Sequence, residues 1–294
     1  MWPFGCVDTF MIIHNRAVLM IVMAGVFLSV LGIATRLMES ANGLQIVFYR
    51  ALGLAVFSTL TVMYLNKGRF LKALVGAGWM GFVAGVFLAL ASIAVVLALV
   101  NTTAANAMFI ISLTPLISGI LAWLILGERV RLKTWGAIGG ALIGVFIIIN
   151  GALSSDGLRG IAYAFLMAFC YGLFNVTLRS GKNQDMLPAI CWSSYILLVA
   201  IGLTVDDLTV PRSDLLICLS LGVFQLGLGG FLLIAGSKHV PAAQLALLAM
   251  LEVVLNPIWV WLGVGEVPAT ATLIGGLVIL AAISYEAVSN NRAA

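Results

Sequence analysis

Long apolar runs alternate with short polar breaks along the whole 294-residue chain. The runs are continuously apolar, so they have neither the period-2 alternation of a half-buried strand nor the ten-residue dyads of a membrane barrel. A helix needs about 20 mostly apolar residues to cross a hydrocarbon core of roughly 30 Å. Ten stretches fit: 17–35, 44–65, 78–99, 103–126, 132–150, 159–178, 188–206, 214–236, 241–264 and 270–288. The pattern predicts an all-α membrane protein of ten transmembrane helices, each satisfying its own backbone in lipid. Only short loops remain, which excludes a soluble domain. The first span follows Arg16 and has no small-residue cleavage site after it, so it reads as a retained helix and not a signal peptide. Residues 1–16 read as an N-terminal tail, with Met11 an alternative start, and 289–294 as a C-terminal tail.

Composition strengthens this picture. Hydrophobic residues make up 63% and charged residues 9%, where a soluble domain has roughly 45–50% and about 25%. The net charge of +4 comes from 15 basic residues with no block interleaved with aromatics, so no nucleic-acid partner is expected. Cys6, Cys170, Cys191 and Cys218 lack metal or disulfide spacing, and His14 and His239 lie at span edges. There is no HExxH, GxSxG or P-loop, so no metal, cofactor, catalytic residue or ATP-driven pump is expected.

Basic residues also orient the chain. With a cytoplasmic N-terminus, the inner side holds Arg16, Lys67, Arg69, Lys72, Arg129, Arg131, Lys133, Arg179, Lys182, Lys238 and Arg292. The outer side holds Arg36, Arg159 and Arg212, and Arg50 falls inside the second span. Adding or deleting one span would scramble that split, so it supports ten spans and cytoplasmic termini.

The chain repeats itself. A constant shift of 138 superimposes Ala104, Ala105, Trp123, Gly127 and Glu128 on Ala242, Ala243, Trp261, Gly265 and Glu266. Each copy carries a proline, Pro115 or Pro257, about one turn out of register, and Arg36 and Arg179 follow similar helices. Residues 17–150 thus form one five-helix unit and 159–288 another, joined by a 151–158 linker. Five is odd, so the second unit must cross in the opposite sense. Inverted repeats of this kind build transporters with a site near the midplane.

The TAANA…P…LGER stretch of 103–129, followed by a Gly-rich fifth span, resembles the EamA domain of the drug/metabolite transporter superfamily. The second unit repeats it more loosely at 241–266, so the resemblance covers essentially the whole chain. Within that superfamily the chain is similar to the YddG type, exporters of aromatic and other amino acids. The resemblance implies a central cavity between the repeats, lined mainly by the first, third, fourth, sixth, eighth and ninth helices. It implies an exporter of amino acids, aromatic or large neutral ones first, working by alternating access as a monomer in the bacterial inner membrane. Its partners would be a small-molecule substrate and the bilayer. Export of drugs or other metabolites is the alternative; an intramembrane enzyme or a non-transporting assembly protein is the second.

Ionisable groups inside a span are expensive and therefore functional suspects. Glu252 alone is an acid in mid-span. It can carry a proton, hold a substrate ammonium, or serve as a structural carboxyl between helices. Asn256 and Gln244 share its face, and the 138 shift maps Gln244, Glu252 and Asn256 onto Asn106, Thr114 and Ser118. A polar stripe in each repeat suits a pocket at their interface, or interhelical bonding. Arg50 lies two turns into the second span; it can meet a substrate carboxylate or Glu252, but snorkelling to the outer interface or capping backbone carbonyls is the favoured reading. Tyr163, Tyr171 and Asn175 on the sixth span, Gln225 among the glycines of the eighth, and Trp79 at the edge of the third complete the candidate contacts. Trp79 reads equally as an interfacial anchor. Pro115 and Pro257 are expected to bend their helices and shape hinges. Gly136, Gly140 and Gly144 on the fifth span and Gly275 and Gly276 on the tenth are expected to be packing ridges.

Overall fold

The computed structural model describes residues 4–127, 132–152, 157–181, 184–237, 239–240 and 242–291. Side chains are described from residue 15 onward in those stretches, except at 132–133, 152, 242–243, 246–247, 286–287 and 289–291. The side chains of Cys6, His14, Glu128, Arg129, Arg131, Lys133, Lys182, Lys238, Glu286 and Arg292 therefore lie outside the described residues.

Every described regular element is helical: α1 (Phe4–Ser29), α2 (Leu31–Leu37), α3 (Gly43–Leu65), α4 (Phe70–Gly76), α5 (Gly78–Asn101), α6 (Ala104–Ile111), α7 (Thr114–Leu126), α8 (Leu132–Ala152), α9 (Leu158–Ser180), α10 (Ala189–Thr204), α11 (Arg212–Ser220), a π-helical segment (Leu221–Leu228), α12 (Gly229–Ser237), α13 (Ala242–Val264) and α14 (Thr270–Asn291). Among the described residues, seven helical segments are long and apolar enough to cross a membrane: 15–37, 43–65, 78–101, 104–126, 134–151, 158–180 and 212–237. Three shorter apolar helices, Ala189–Thr204, Leu248–Val264 and Thr270–Tyr285, accompany them. Three of the long segments are interrupted. The first breaks at Val30, the fourth at Ser112–Leu113, and the seventh passes through the π-helical turns.

Local chemistry sets the ends. Asn42 caps α3 by accepting from the Leu44 and Gln45 amides at 3.0 Å each, and Gln45 returns an acceptor to the Asn42 amide at 2.8 Å. Thr103 caps α6 through the Asn106 amide at 3.2 Å. Gly127 and Gly265, one position before Glu128 and Glu266, have φ of 70° and 72°. That left-handed geometry ends a helix and favours glycine. The two glycines matched by the repeat thus make the same turn.

Packing is most extensive between α5 and α9 and between α8 and α14. A Cβ on Gly140 would lie 3.4 Å from Ala282, one on Gly144 would lie 2.5 Å from the Gly275 carbonyl, and one on Gly151 would lie 2.6 Å from Ala271. One residue number rises as the other falls, so α8 and α14 run antiparallel. The Gly144–Gly275 contact is reciprocal: each would meet the other's carbonyl at 2.5 Å and an isoleucine, Ile279 or Ile148, at 2.7 Å. Such mutual contact is the signature of a local two-fold axis. Gly276 sits on the Phe109 ring. Gly136 faces open space, so it forms no part of this ridge. The first span and α13 run parallel, because Gly25 meets Leu251, Ser29 meets Trp259 and Gly263 meets Ile33.

Candidate functional site

Two of the interruptions, at Val30 and in the π-helical turns, meet beside one buried cation. Arg50, in α3, is only 2% exposed. Its Nε and Nη2 donate to Gln225 Oε1 at 3.2 and 3.0 Å, and Nη1 donates to Ser92 Oγ at 3.2 Å. Gln225 Nε2 in turn donates to the Leu28 carbonyl at 3.3 Å, beside the break in the first span. Snorkelling is therefore overturned: the side chain turns into the bundle.

Glycine makes this arrangement possible. A Cβ on Gly53 would collide with the Leu219 carbonyl, and one on Gly222 with the Arg50 carbonyl and, at 2.6 Å, the Leu54 amide. The backbones of α3 and the π-helical segment therefore touch. Gln225 lies within those π turns, which are frequent at functional sites.

The guanidinium meets only neutral partners. Among the described residues no carboxylate lies within salt-bridge distance of Arg50. Three of its five N–H groups are engaged. Two have no partner among the described residues. Glu252, partly buried on α13, lies within electrostatic range of both Arg50 and Tyr171 but makes no hydrogen bond among the described residues. One turn on, Asn256 is fully buried and neither amide atom has a partner. Its Oδ1 presses on Gly32, where a Cβ would not fit.

The remaining candidates occupy different places. Tyr171 packs on Phe174 with ring centroids 5.4 Å apart. Asn175 Nδ2 donates to Ser118 Oγ at 3.2 Å, which joins α9 to α7. The Thr114 hydroxyl donates at 2.6 Å to the Ile111 carbonyl, the group that Pro115 leaves without its usual amide. Thr114 thus serves the break between α6 and α7, whereas Pro257 lies within continuous α13. Asn106 accepts from Thr272 at 2.6 Å. Trp79 is 72% exposed and stacks on Phe82, away from Arg50 and its bonded partners.

A second constellation seals one end of the bundle. Arg36 Nε donates to Glu266 Oε2 at 2.8 Å, and Nη1 and Nη2 donate to the carbonyls of Leu99 and Thr102. The Ala104 amide donates to Glu266 Oε1 at 2.8 Å. Nearby, fully buried Asp214 accepts from the Glu39, Ser40 and Ala41 amides at 3.0–3.1 Å. Tyr49 and Gln45 hold the 207–209 loop through its carbonyls. Sequence reasoning missed Ser92, although it is the only hydroxyl-bearing residue of the third span. It also missed the partners of Arg36 and Asp214, which lie up to 230 residues away and carry no local signal.

A helical membrane protein with interrupted spans, two matched units and a buried cation between them has the architecture of a secondary transporter. The EamA-like transporter family model matches residues 15–150 and again 158–285, so the chain belongs to that family. It is a multi-pass membrane transporter and not an enzyme. It is 24% identical over 249 residues to the uncharacterized transporter YdfC of Bacillus subtilis, covering 82% of this chain and 79% of that one. It is 25% identical over 243 residues to the pseudopaline exporter CntI of Pseudomonas aeruginosa, covering 81% and 84%. A solved crystal structure, 17% identical, shares the fold with a TM-score of 0.66 over 94% of this chain and 97% of that one.

Proposed function

We propose that the protein exports amino acids, aromatic or large neutral ones first, across the bacterial cytoplasmic membrane by alternating access. In this reading the seven long and three shorter apolar segments are ten crossings in two inverted repeats, with both termini in the cytoplasm. Antiparallel α8 and α14, their reciprocal glycine contact and the parallel course of the first span and α13 support it. Exchanging the units turns the α5–α9 contact into that of α12 with α1, and both are among the larger interfaces.

The observation that carries the substrate class is Arg50. A buried guanidinium with neutral partners and two spare N–H groups is a receptor for a carboxylate. Glu252 nearby is an acceptor for an ammonium, and Tyr171 with its apolar neighbours forms a wall. Of the other residues, Asn256 is a proposed contact in the same site. Ser118 and Asn175 line the adjoining wall, and Pro115 and Pro257 are proposed hinges. The relative named as a pseudopaline exporter favours a second reading, export of another carboxylate-bearing metabolite. Purified protein in proteoliposomes, with and without a proton gradient, tests both. Flux of phenylalanine or leucine above that of empty vesicles is expected. Flux no faster than empty vesicles for every amino acid tried removes the amino-acid assignment.

A further inference from the structure

Two cavities lie end to end along α3, outside the Arg50 cluster. The first is a narrow apolar groove, with about 30 Å³ of interior space, between α3, the start of α10, the π-helical segment and α12. Leu54, Phe57, Val62, Ile190, Phe231 and Ile234 line it, and the hydroxyls of Ser58 and Thr61 are its only polar side-chain groups. The second is an open polar cleft of about 510 Å³ at the end of the same helix, where Lys67, Arg69 and Lys72 meet one acid, Asp185. Val62 of the groove and Leu65 of the cleft are one turn apart on α3; Asp185 of the cleft and Leu187 of the groove are two residues apart. The groove and the cleft are therefore neighbours along α3.

The short helix α4, between the cleft and α5, is only partly covered by protein. α4 buries none of its residues. Leu71 and Val75, at i and i+4, are 74% and 77% exposed and lie on one face of α4. Lys72 is exposed beside them. A helix with bare apolar residues flanked by cations lies in a membrane interface. The turn before it is held by three backbone bonds, Lys67 to Tyr64, Gly68 to Met63 and Arg69 to Asn66, so the cations stand on fixed backbone.

We infer that this composite surface binds an anionic phospholipid, with an acyl chain lying along the apolar groove and the charged headgroup among Lys67, Arg69 and Lys72. Each function of the lipid has a matching surface. The groove takes hydrocarbon, and the cleft carries three positive charges against one negative. A zwitterionic headgroup gains far less from that charge surplus. The site is separate from the transport reading and stands whether or not the substrate is an amino acid.

The test uses the full chain in nanodiscs of phosphatidylglycerol and phosphatidylcholine mixed equally, released into native mass spectrometry. The wild type is expected to retain phosphatidylglycerol selectively. A cation near an anionic lipid surface contributes roughly fivefold in affinity, so Lys67→Gln/Arg69→Gln/Lys72→Gln should weaken retention on the order of a hundredfold. The three side chains are exposed, so that variant should fold. Thr61→Trp, which fills the groove and keeps every charge, should also lower retention severalfold. Soluble glycerol phosphate should neither compete nor raise the melting temperature. Equal retention of both lipids, a triple variant that holds phosphatidylglycerol like wild type, unchanged retention in Thr61→Trp, or full competition by glycerol phosphate would each overturn the proposal.

Discussion

At the residue scale, the decisive feature is a cation placed where cations are costly. Arg50 keeps its charge in mid-span because Gln225 and Ser92 replace part of its water shell. Lysine is no substitute, since one ammonium cannot reach both partners and present two parallel N–H groups to a carboxylate. Arg50→Lys should therefore lower kcat/KM for amino-acid export by about 10–100-fold, the loss expected when one charge-assisted hydrogen bond worth about 1.5–3 kcal/mol goes. Wild-type flux in that variant would remove the carboxylate-receptor role. Glu252→Gln keeps the shape and deletes the charge. If the carboxylate holds the substrate ammonium or a proton, export should fall at least tenfold in proteoliposomes. Transport at the wild-type rate across a pH series would reject both roles. Arg50, Gln225 and Glu252 were each legible as isolated polar residues in apolar runs. Their grouping was not, because Arg50 and Gln225 are 175 residues apart in sequence.

At the element scale, glycines decide how closely helices approach, and their contacts differ in ways the sequence pattern could not separate. Gly136, Gly140 and Gly144 share a spacing that reads as one ridge. In the fold, Gly144 touches the Gly275 carbonyl, Gly140 has ordinary contact with Ala282, and Gly136 touches nothing. Substitution by leucine should grade accordingly. Gly144→Leu must push two backbones apart, beyond the about 1–3 kcal/mol typical of overpacking, and should cut the yield of folded protein sharply. Gly140→Leu should be intermediate, and Gly136→Leu close to neutral. Melting temperature and monodispersity in detergent check the order; an equal loss at all three sites contradicts it. The helix breaks have the same partial legibility. Pro115 marks one in the sequence, but the break at Val30 and the π-helical turns at 221–228 carry no proline. They arise where tertiary contacts, such as Gln225 on Leu28, favour a local departure from the α-helix.

At the scale of the whole molecule, alternating access requires a closure that both holds and releases. Arg36 and Glu266 join four pieces of backbone at one end of the bundle: the end of α2, the end of α5, the start of α6 and the segment after α13. All four belong to, or directly follow, spans that line the cavity implied by the resemblance, so opening that end must break the ion pair. The glutamate was visible as the second member of a repeated Gly-Glu pair, and Arg36 as an isolated charge beyond the first span. Their meeting depends on the first span running parallel to α13, which local sequence does not encode. Glu266→Gln retains an acceptor for Arg36 and removes the charge, a loss of about 1–3 kcal/mol for a partly buried pair. That shifts a two-state equilibrium roughly 5–100-fold toward the state open at this end. In a cysteine-free background, Val30→Cys beside the helix break reports the change by its reaction with a membrane-impermeant thiol reagent added from the Arg36 side. Labelling should rise severalfold in Glu266→Gln and return toward the wild-type rate in the Glu266→Asp variant, which restores the charge. Unchanged labelling together with unchanged transport would make the pair a packing contact, and the gate would have to be sought in the Asp214 clasp on residues 39–41.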